Sequence, residues 1–419
     1  MSRFFPRLAP PIHVRLFSPT TTDDLASTTP TPLAHPVPHL PLEIVLHIIE
    51  ETHCDDRDLD VRADFLKQCA LVCRDWSAPA QKLLFSAVSL RSQMACAAFI
   101  AAVERATPRG RMLGDAVLRL RVVLDHNQPF GVSQHAFAHA VTACPNLAQL
   151  NLALYGCASP GKDLVGLPDL LRMRRPAPSF DESTLALLRA GPPIATLQFS
   201  NWSENRHSIT QLLDVWPSLK SLTVSGTPPQ LPSASLRAFP CALEELRMNF
   251  QTSPSVDFMK WLLHNSAASL RVLEFAREPT PELLEYLVDA HRETLRSLSL
   301  PSCTSHAQAR AVAKCQGLRE LRIENPWTTP MLYKSLPTGL QHLALAVDQD
   351  TGLHPILETV RASESLAALT LQVWESGERH ALLPVVKLTC AYRGVDLAIT
   401  KDIRLFRYIV RRDMTAPAQ

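Results

Sequence analysis

Nine segments of this chain share one pattern: apolar, two residues, apolar, one residue, apolar. They read LAQLNL from Leu147, IATLQF from Ile194, LKSLTV from Leu219, LEELRM from Leu243 and LRVLEF from Leu270, then LRSLSL from Leu295, LRELRI from Leu318, LQHLAL from Leu340 and LAALTL from Leu366. From Ile194 onward the starts are separated by 25, 24, 27, 25, 23, 22 and 26 residues. Weaker copies, VLRLRV from Val117 and YRGVDL from Tyr392, flank the series, and the 47-residue step from Leu147 to Ile194 implies one repeat plus an inserted loop near 155–181. A period this regular is the signature of a repeat architecture and constrains the fold more than composition does.

The alternation that closes each motif is that of a short strand with one buried face. Between the strands lie helix signatures: Ser208 ahead of Ile209, Leu212, Leu213 and Trp216; Thr280-Pro281 ahead of Leu283, Leu284, Leu287 and Val288; and Thr329-Pro330. A hydroxyl at the N-cap accepts an unpaired backbone N–H, and proline in the next position has none to lose. One helix and one strand cannot bury their apolar faces alone, so the units must stack. The expected fold class is α/β, a curved solenoid over residues 113–400 with parallel strands on the concave face and helices on the convex one. The residues between the buried apolar ones then face the concave side. Among them Arg247, Asn249, Glu274, Glu320, Arg322 and Glu324 form a mixed-charge stretch that is the candidate surface for a target protein.

Charge and composition exclude several classes. Forty-two basic residues against forty acidic give a net charge of +2, with no basic cluster of the kind that marks a nucleic-acid footprint. The ten cysteines form no CxxC pair and no regular framework, which fits reduced thiols in a cytoplasmic or nuclear protein. The longest apolar run, Met94–Val103, is about half the ~18 residues a membrane-spanning helix needs, so no membrane partner is expected. Residues 1–38 are rich in Pro and Thr, the composition of a disordered tail; Arg3, Arg7 and Arg15 hint at a transit peptide, but Pro6, Pro10 and Pro11 would break its helix.

Three segments imitate ligand sites. GCASPGKD (Gly156–Asp163) has the spacing of a phosphate loop, but Asp163 stands where a hydroxyl should hold Mg²⁺, and Pro160 removes an N–H from the cradle. Asp56, Asp58 and Asp60 open like a calcium loop, yet Val61 replaces the turn glycine and Lys67 the bidentate glutamate; the stretch reads as an acidic loop. His53-Cys54 has no matching second pair. No metal, cofactor or catalytic residue is expected.

LKQCALVCRDW (Leu66–Trp76) looks like a thiol site until it is placed on a helix. Leu66, Cys69, Cys73 and Trp76 then recur at three and four residues on one apolar face, where thiols behave as small hydrophobes. Upstream, HLPLEIVLHIIEE (His39–Glu51) predicts a helix started by Pro41, with Leu42, Val45, Leu46 and Ile49 on one apolar face and Ile44 and Ile48 on another. In a unit of about 50 residues, a helix apolar on two sides is shared between its own core and a partner.

Taken together, LPLEIVLHII, LKQCALVCRDW and LLFSAVSL resemble the F-box, a short helical module of ubiquitin-ligase adaptors; the match covers residues 39–90. Followed by a linking helix at 91–112, the 113–400 repeats and a C-terminal tail at 401–419, the chain resembles the fungal type of F-box protein with leucine-rich repeats. The resemblance implies a non-enzymatic substrate-recognition adaptor. Leu40, Pro41, Ile44 and Ile48 would dock onto a Skp-type adaptor and through it a cullin–RING ligase, Trp76 would hold the helices in register, and the repeats would bind a target. The alternative is a leucine-rich-repeat scaffold whose F-box is vestigial or works outside a ligase. The acidic insertion Asp55–Asp64 and the ending LLFSAVSL depart from the family pattern.

Overall fold

The computed structural model describes residues 59–156, 177–203, 205–231 and 239–407, with 41, 43–44, 47–48 and 409. Its centre is one open, all-parallel sheet of twelve strands whose spatial order is the order of the chain. The strands are β1 (Ala87–Leu90), β2 (Arg119–Asp125), β3 (Gln149–Tyr155), β4 (Thr196–Trp202), β5 (Ser221–Gly226) and β6 (Glu245–Phe250), then β7 (Val272–Phe275), β8 (Ser297–Leu300), β9 (Glu320–Ile323), β10 (His342–Val347), β11 (Ala368–Val373) and β12 (Asp396–Thr400).

Helices α1 (Leu59–Val72) and α2 (Arg74–Ser86) precede the sheet. The connections carry α3 (Gln93–Ala102), α4 (Pro108–Ala116), α5 (Gln134–Thr142), α6 (Glu182–Arg189), α7 (Ser208–Leu213) and α8 (Val256–Leu262), then α9 (Pro281–His291), α10 (His306–Lys314), α11 (Pro330–Lys334), α12 (His354–Ala362) and α13 (Leu383–Arg393).

The repeat motif explains the register. Its middle apolar residue occupies the same row of every strand from β2 to β11: Leu120 pairs Leu150, Leu150 pairs Leu197, and the column runs on to Leu369; in β12 the last residue of YRGVDL, Leu397, takes that row. A slip of one residue would turn this whole set away from the helices, so the leucines fix the pairing. All but Leu397 are buried, and each contributes about 1.5–3 kcal/mol relative to exposure. They join the helix residues facing them in one core that runs the length of the array.

Of the three expected helix starts, one is capped by its hydroxyl, one, Thr329 before Pro330 of α11, is the N-cap without a side-chain cap bond, and one is corrected. Thr280 accepts the Leu283 N–H at the start of α9, and Ser305 with Gln308 closes a capping box on α10. Ser208, expected as a cap, is instead the first residue of α7 and is buried. Asn205 serves in its place, its side-chain oxygen accepting the N–H groups of His207 and Ser208 at 3.0 and 3.1 Å.

Other boundaries differ from the sequence reading. The sheet begins at Ala87, inside the stretch assigned to the helical module, because FSAVSL from Phe85 is a further copy of the motif: Val88 pairs Leu120 and Leu90 pairs Val122. The linking helix at 91–112 is two helices, each capped by a hydroxyl, Ser92 for α3 and Thr107 for α4. The acidic stretch ends in helix: Leu59–Asp64 belongs to α1. Residues 1–38 and most of the insertion near 155–181, from 157 to 176, lie outside the described residues.

Candidate interaction surface

At the N-terminal end, α1 and α2 pack through Leu66, Cys69 and Ala80, with Trp76, Leu83 and Leu84 half-buried against them. The single helix expected through LKQCALVCRDW is interrupted. Cys73 takes an extended conformation (φ −159°, ψ 171°) as the N-cap of α2, which leaves its thiol exposed while Cys69 stays in the core. Trp76, on α2, is half-buried against the Leu66, Cys69 and Ala80 cluster. Of the adaptor-docking candidates, Pro41, Ile44 and Ile48 are exposed, the two isoleucines at 45% and 47%, and the Ile44 N–H donates to the Pro41 carbonyl at 3.0 Å. Leu40 lies outside the described residues. Leu71 and Val72, which the sequence reading did not single out, are also exposed at the end of α1.

The face of the sheet away from the leucine ladder divides in two. On β3 to β6 it is polar and half-buried: Asn151 donates to Gln198 at 2.9 Å, Ser225 to Ser200 at 2.8 Å, and Ser221 to the Glu245 carboxylate at 3.0 Å. From β7 to β11 the equivalent side chains are buried, except for half-buried Ala368 at the start of β11. This corrects the expectation of an accessible mixed-charge stretch. Of the six candidates only Asn249 is exposed and Arg247 half-buried; Glu274, Glu320 and Arg322 are buried, and the Glu324 side chain is 11% exposed.

These residues are spent on one another. Arg247 pairs with Glu245 at 2.8 Å and with Glu274 at 3.2 Å; Arg322, 2% exposed, reaches Glu274 at 2.8 Å and Glu324 at 3.3 Å while donating to Ser299 at 2.8 Å. The small Ser299 stands between Glu274 and Arg322 in the register, and this lets the guanidinium reach across β8. In the adjacent row Ser297 donates to Glu320 at 2.7 Å, and His342 lies 3.4 Å from the same carboxylate and 2.9 Å from Thr370 Oγ1. Charges removed from water persist when paired and hydrogen-bonded in this way.

The chain end completes the cover. Residues 403–407, expected as tail, form a helical turn folded back onto this face: Phe406 is 0% exposed against Ala344, with Ile403 beside it. Arg407 makes a bidentate pair with Glu324, its Nε donating at 2.8 Å. These hydrogen bonds raise the Arg407 guanidinium pKa above its usual value. The sequence signal was the three-residue spacing in IRLFRYIV, apolar at Ile403, Phe406 and Ile409 with arginines between.

A further surface lies at the carboxyl ends of the strands. Tyr155 and Trp202 are register partners at the ends of β3 and β4, both partly exposed. Phe130, Trp327 (69% exposed) and Trp374 follow β2, β9 and β11. Tryptophan and tyrosine are the usual anchors of protein interfaces, and this rim supplies what the alternating face lacks. It was invisible in the repeat because its residues fall just beyond each motif.

The imitated ligand sites carry no geometry: Cys157–Asp163 and His53–Asp58 lie outside the described residues. Among the described residues no cluster of three or more His, Cys, Asp or Glu could hold a metal ion, and no helix is long and apolar enough to cross a membrane. Burial raises the thiols of Cys144 and Cys303 to about 12 and that of Cys315 to about 11, which keeps them protonated and inert. No protein-family model matches the chain, and no curated protein matches its sequence.

Proposed function

We propose that the chain is a substrate-recognition adaptor, an F-box module joined to an array of leucine-rich repeats. In this reading the N-terminal helices dock onto a Skp-type adaptor of a cullin–RING ligase, and the array holds a target protein. The observation that carries it is the pairing, in one chain, of half-exposed Ile44 and Ile48 with an in-register repeat array that displays a polar face and an aromatic rim. Apolar side chains repeated on an exposed helical segment cost solubility unless a partner covers them. The resemblance of LPLEIVLHII and LKQCALVCRDW to an F-box names that partner's class. LLFSAVSL drops out of the argument, since it is the entry to the sheet.

The chemistry asked of the chain is proximity. Holding a target beside the ubiquitin-loaded enzyme raises its effective concentration to about the millimolar range with no catalytic group of its own. Co-expression with a Skp-type adaptor tests the reading, with Ile44→Asp/Ile48→Asp as the control. A stoichiometric complex lost in the control is the expected result. A folded chain that ignores the adaptor would refute ligase docking and leave a repeat scaffold.

A further inference from the structure

On the strands alone, the ladder Glu245–Arg247–Glu274–Arg322–Glu324 counts three carboxylates and two guanidiniums. It alternates in sign and ends on an acid, so the sheet is one cation short. Arg407 supplies that cation from 83 residues further along, with both donors of its fork on Glu324. Next to this end, β10 presents Ala344 where its neighbours present Arg322 and Thr370, and Ala346 where β11 presents Gln372. Two methyl groups stand in a row of longer side chains, and Phe406 packs on the first of them, Ala344.

We propose that this part of the sheet is a peptide-recognition site for a bulky apolar residue followed by arginine, and that residues 403–407 occupy it in cis. Its parts are fixed independently of the occupant. Arg322 and Ser299 hold the ladder in place, and the alanines belong to a strand paired on both sides. A bidentate carboxylate selects arginine over lysine, because only the planar fork meets both oxygens. The occupant packs in a small cluster separate from the main core, Phe406 with Ala344 and Ile403; a short helical segment has little stability of its own, and such segments open more readily than the fold as a whole. A target bearing the same pair of side chains therefore competes with the chain's own end, at an effective concentration of about millimolar. This rests on the array being the target-binding part and is independent of adaptor docking.

The test uses the full chain carrying Phe406→Ser/Arg407→Glu and a labelled peptide of the sequence KDIRLFRYI, residues 401–409. The variant should bind the peptide at least about tenfold more tightly than the unaltered chain does, because the cis competitor is gone. Replacing the arginine before tyrosine in the peptide by lysine should remove most of that binding. A folded variant that ignores the peptide overturns the proposal. Should the variant not fold, hydrogen exchange on the unaltered chain decides. Amides of 403–407 exchanging at least about tenfold faster than those of β9 to β11 support a displaceable occupant, and exchange in step with the strands overturns it. Co-purification of the same variant with a Skp-type adaptor reports separately on the ligase reading.

Discussion

Replacing Arg322 by methionine removes the centre of the charge ladder while nearly keeping its volume. The guanidinium is 2% exposed and ion-paired to Glu274 and Glu324, whose side chains are each 11% exposed. At an effective dielectric constant of about 20, charges about 4 Å apart attract by about 4 kcal/mol, so two such attractions vanish. Against that, the unfolded-to-folded transfer no longer desolvates an arginine. Breaking a buried pair from one side costs about 3–5 kcal/mol in total. Because Glu274 keeps Arg247 and Glu324 keeps Arg407, the lower end applies, about 3 kcal/mol. The double variant Arg322→Met/Glu274→Met makes the sharper comparison. It leaves two complete pairs, Glu245–Arg247 and Glu324–Arg407, and buries apolar volume between them, so it should lie within about 1 kcal/mol of the unaltered chain. Urea unfolding followed by far-UV circular dichroism, read at constant slope, measures both. The reasoning fails if the single variant costs under about 1 kcal/mol, or if the double is as damaged as the single.

Two further outcomes follow from buried features of the array. His291 on α9 is buried with neither ring nitrogen hydrogen-bonded among the described residues, and burial lowers its pKa from 6.5 to about 4. Between those values the unfolded chain takes up a proton that the folded one refuses. Stability is therefore complete above about pH 6.5 and declines by about 3 kcal/mol as the pH falls to about 4, where it levels off. His291→Leu should flatten that part of a stability-against-pH curve, and an unchanged curve would place the titration elsewhere. Gly226 ends β5 at φ +92°, and a Cβ there would sit 1.9 Å from the Asn201 carbonyl oxygen. Gly226→Ala combines left-handed strain with a backbone clash and should cost about 2 kcal/mol or more, seen as a lowered urea midpoint.

The fold was legible where it is periodic. Leucines from Leu120 to Leu369 fall in one register column because the motif places them at fixed intervals, a local property. The first strand was missed because FSAVSL looked like the end of a helical module, and a motif cut short by context carries less signal. The candidate face was half-read. The alternation named Glu274, Glu320 and Arg322 as facing away from the helices, but their burial goes with pairings across strands, 23 or more residues apart, and with the Arg407–Glu324 contact, none of which a local window contains. Cys73 was placed on the right segment and the wrong side, because helix periodicity ran on across a break that only the backbone at the N-cap reveals.

The strict agreement between strand order and chain order has a consequence for how the molecule is made. Each repeat needs only the one before it as a template, so folding can follow the ribosome. At roughly 5–20 residues per second, a repeat of about 25 residues is ready to dock every one to five seconds. The nascent chain would expose only the two edges of its growing sheet, β1 and the newest strand, which limits its chance of joining a neighbour on the same polysome. Among the described residues, the turn that carries Phe406 and Arg407 breaks this sequence, since it must travel back across strands already in place.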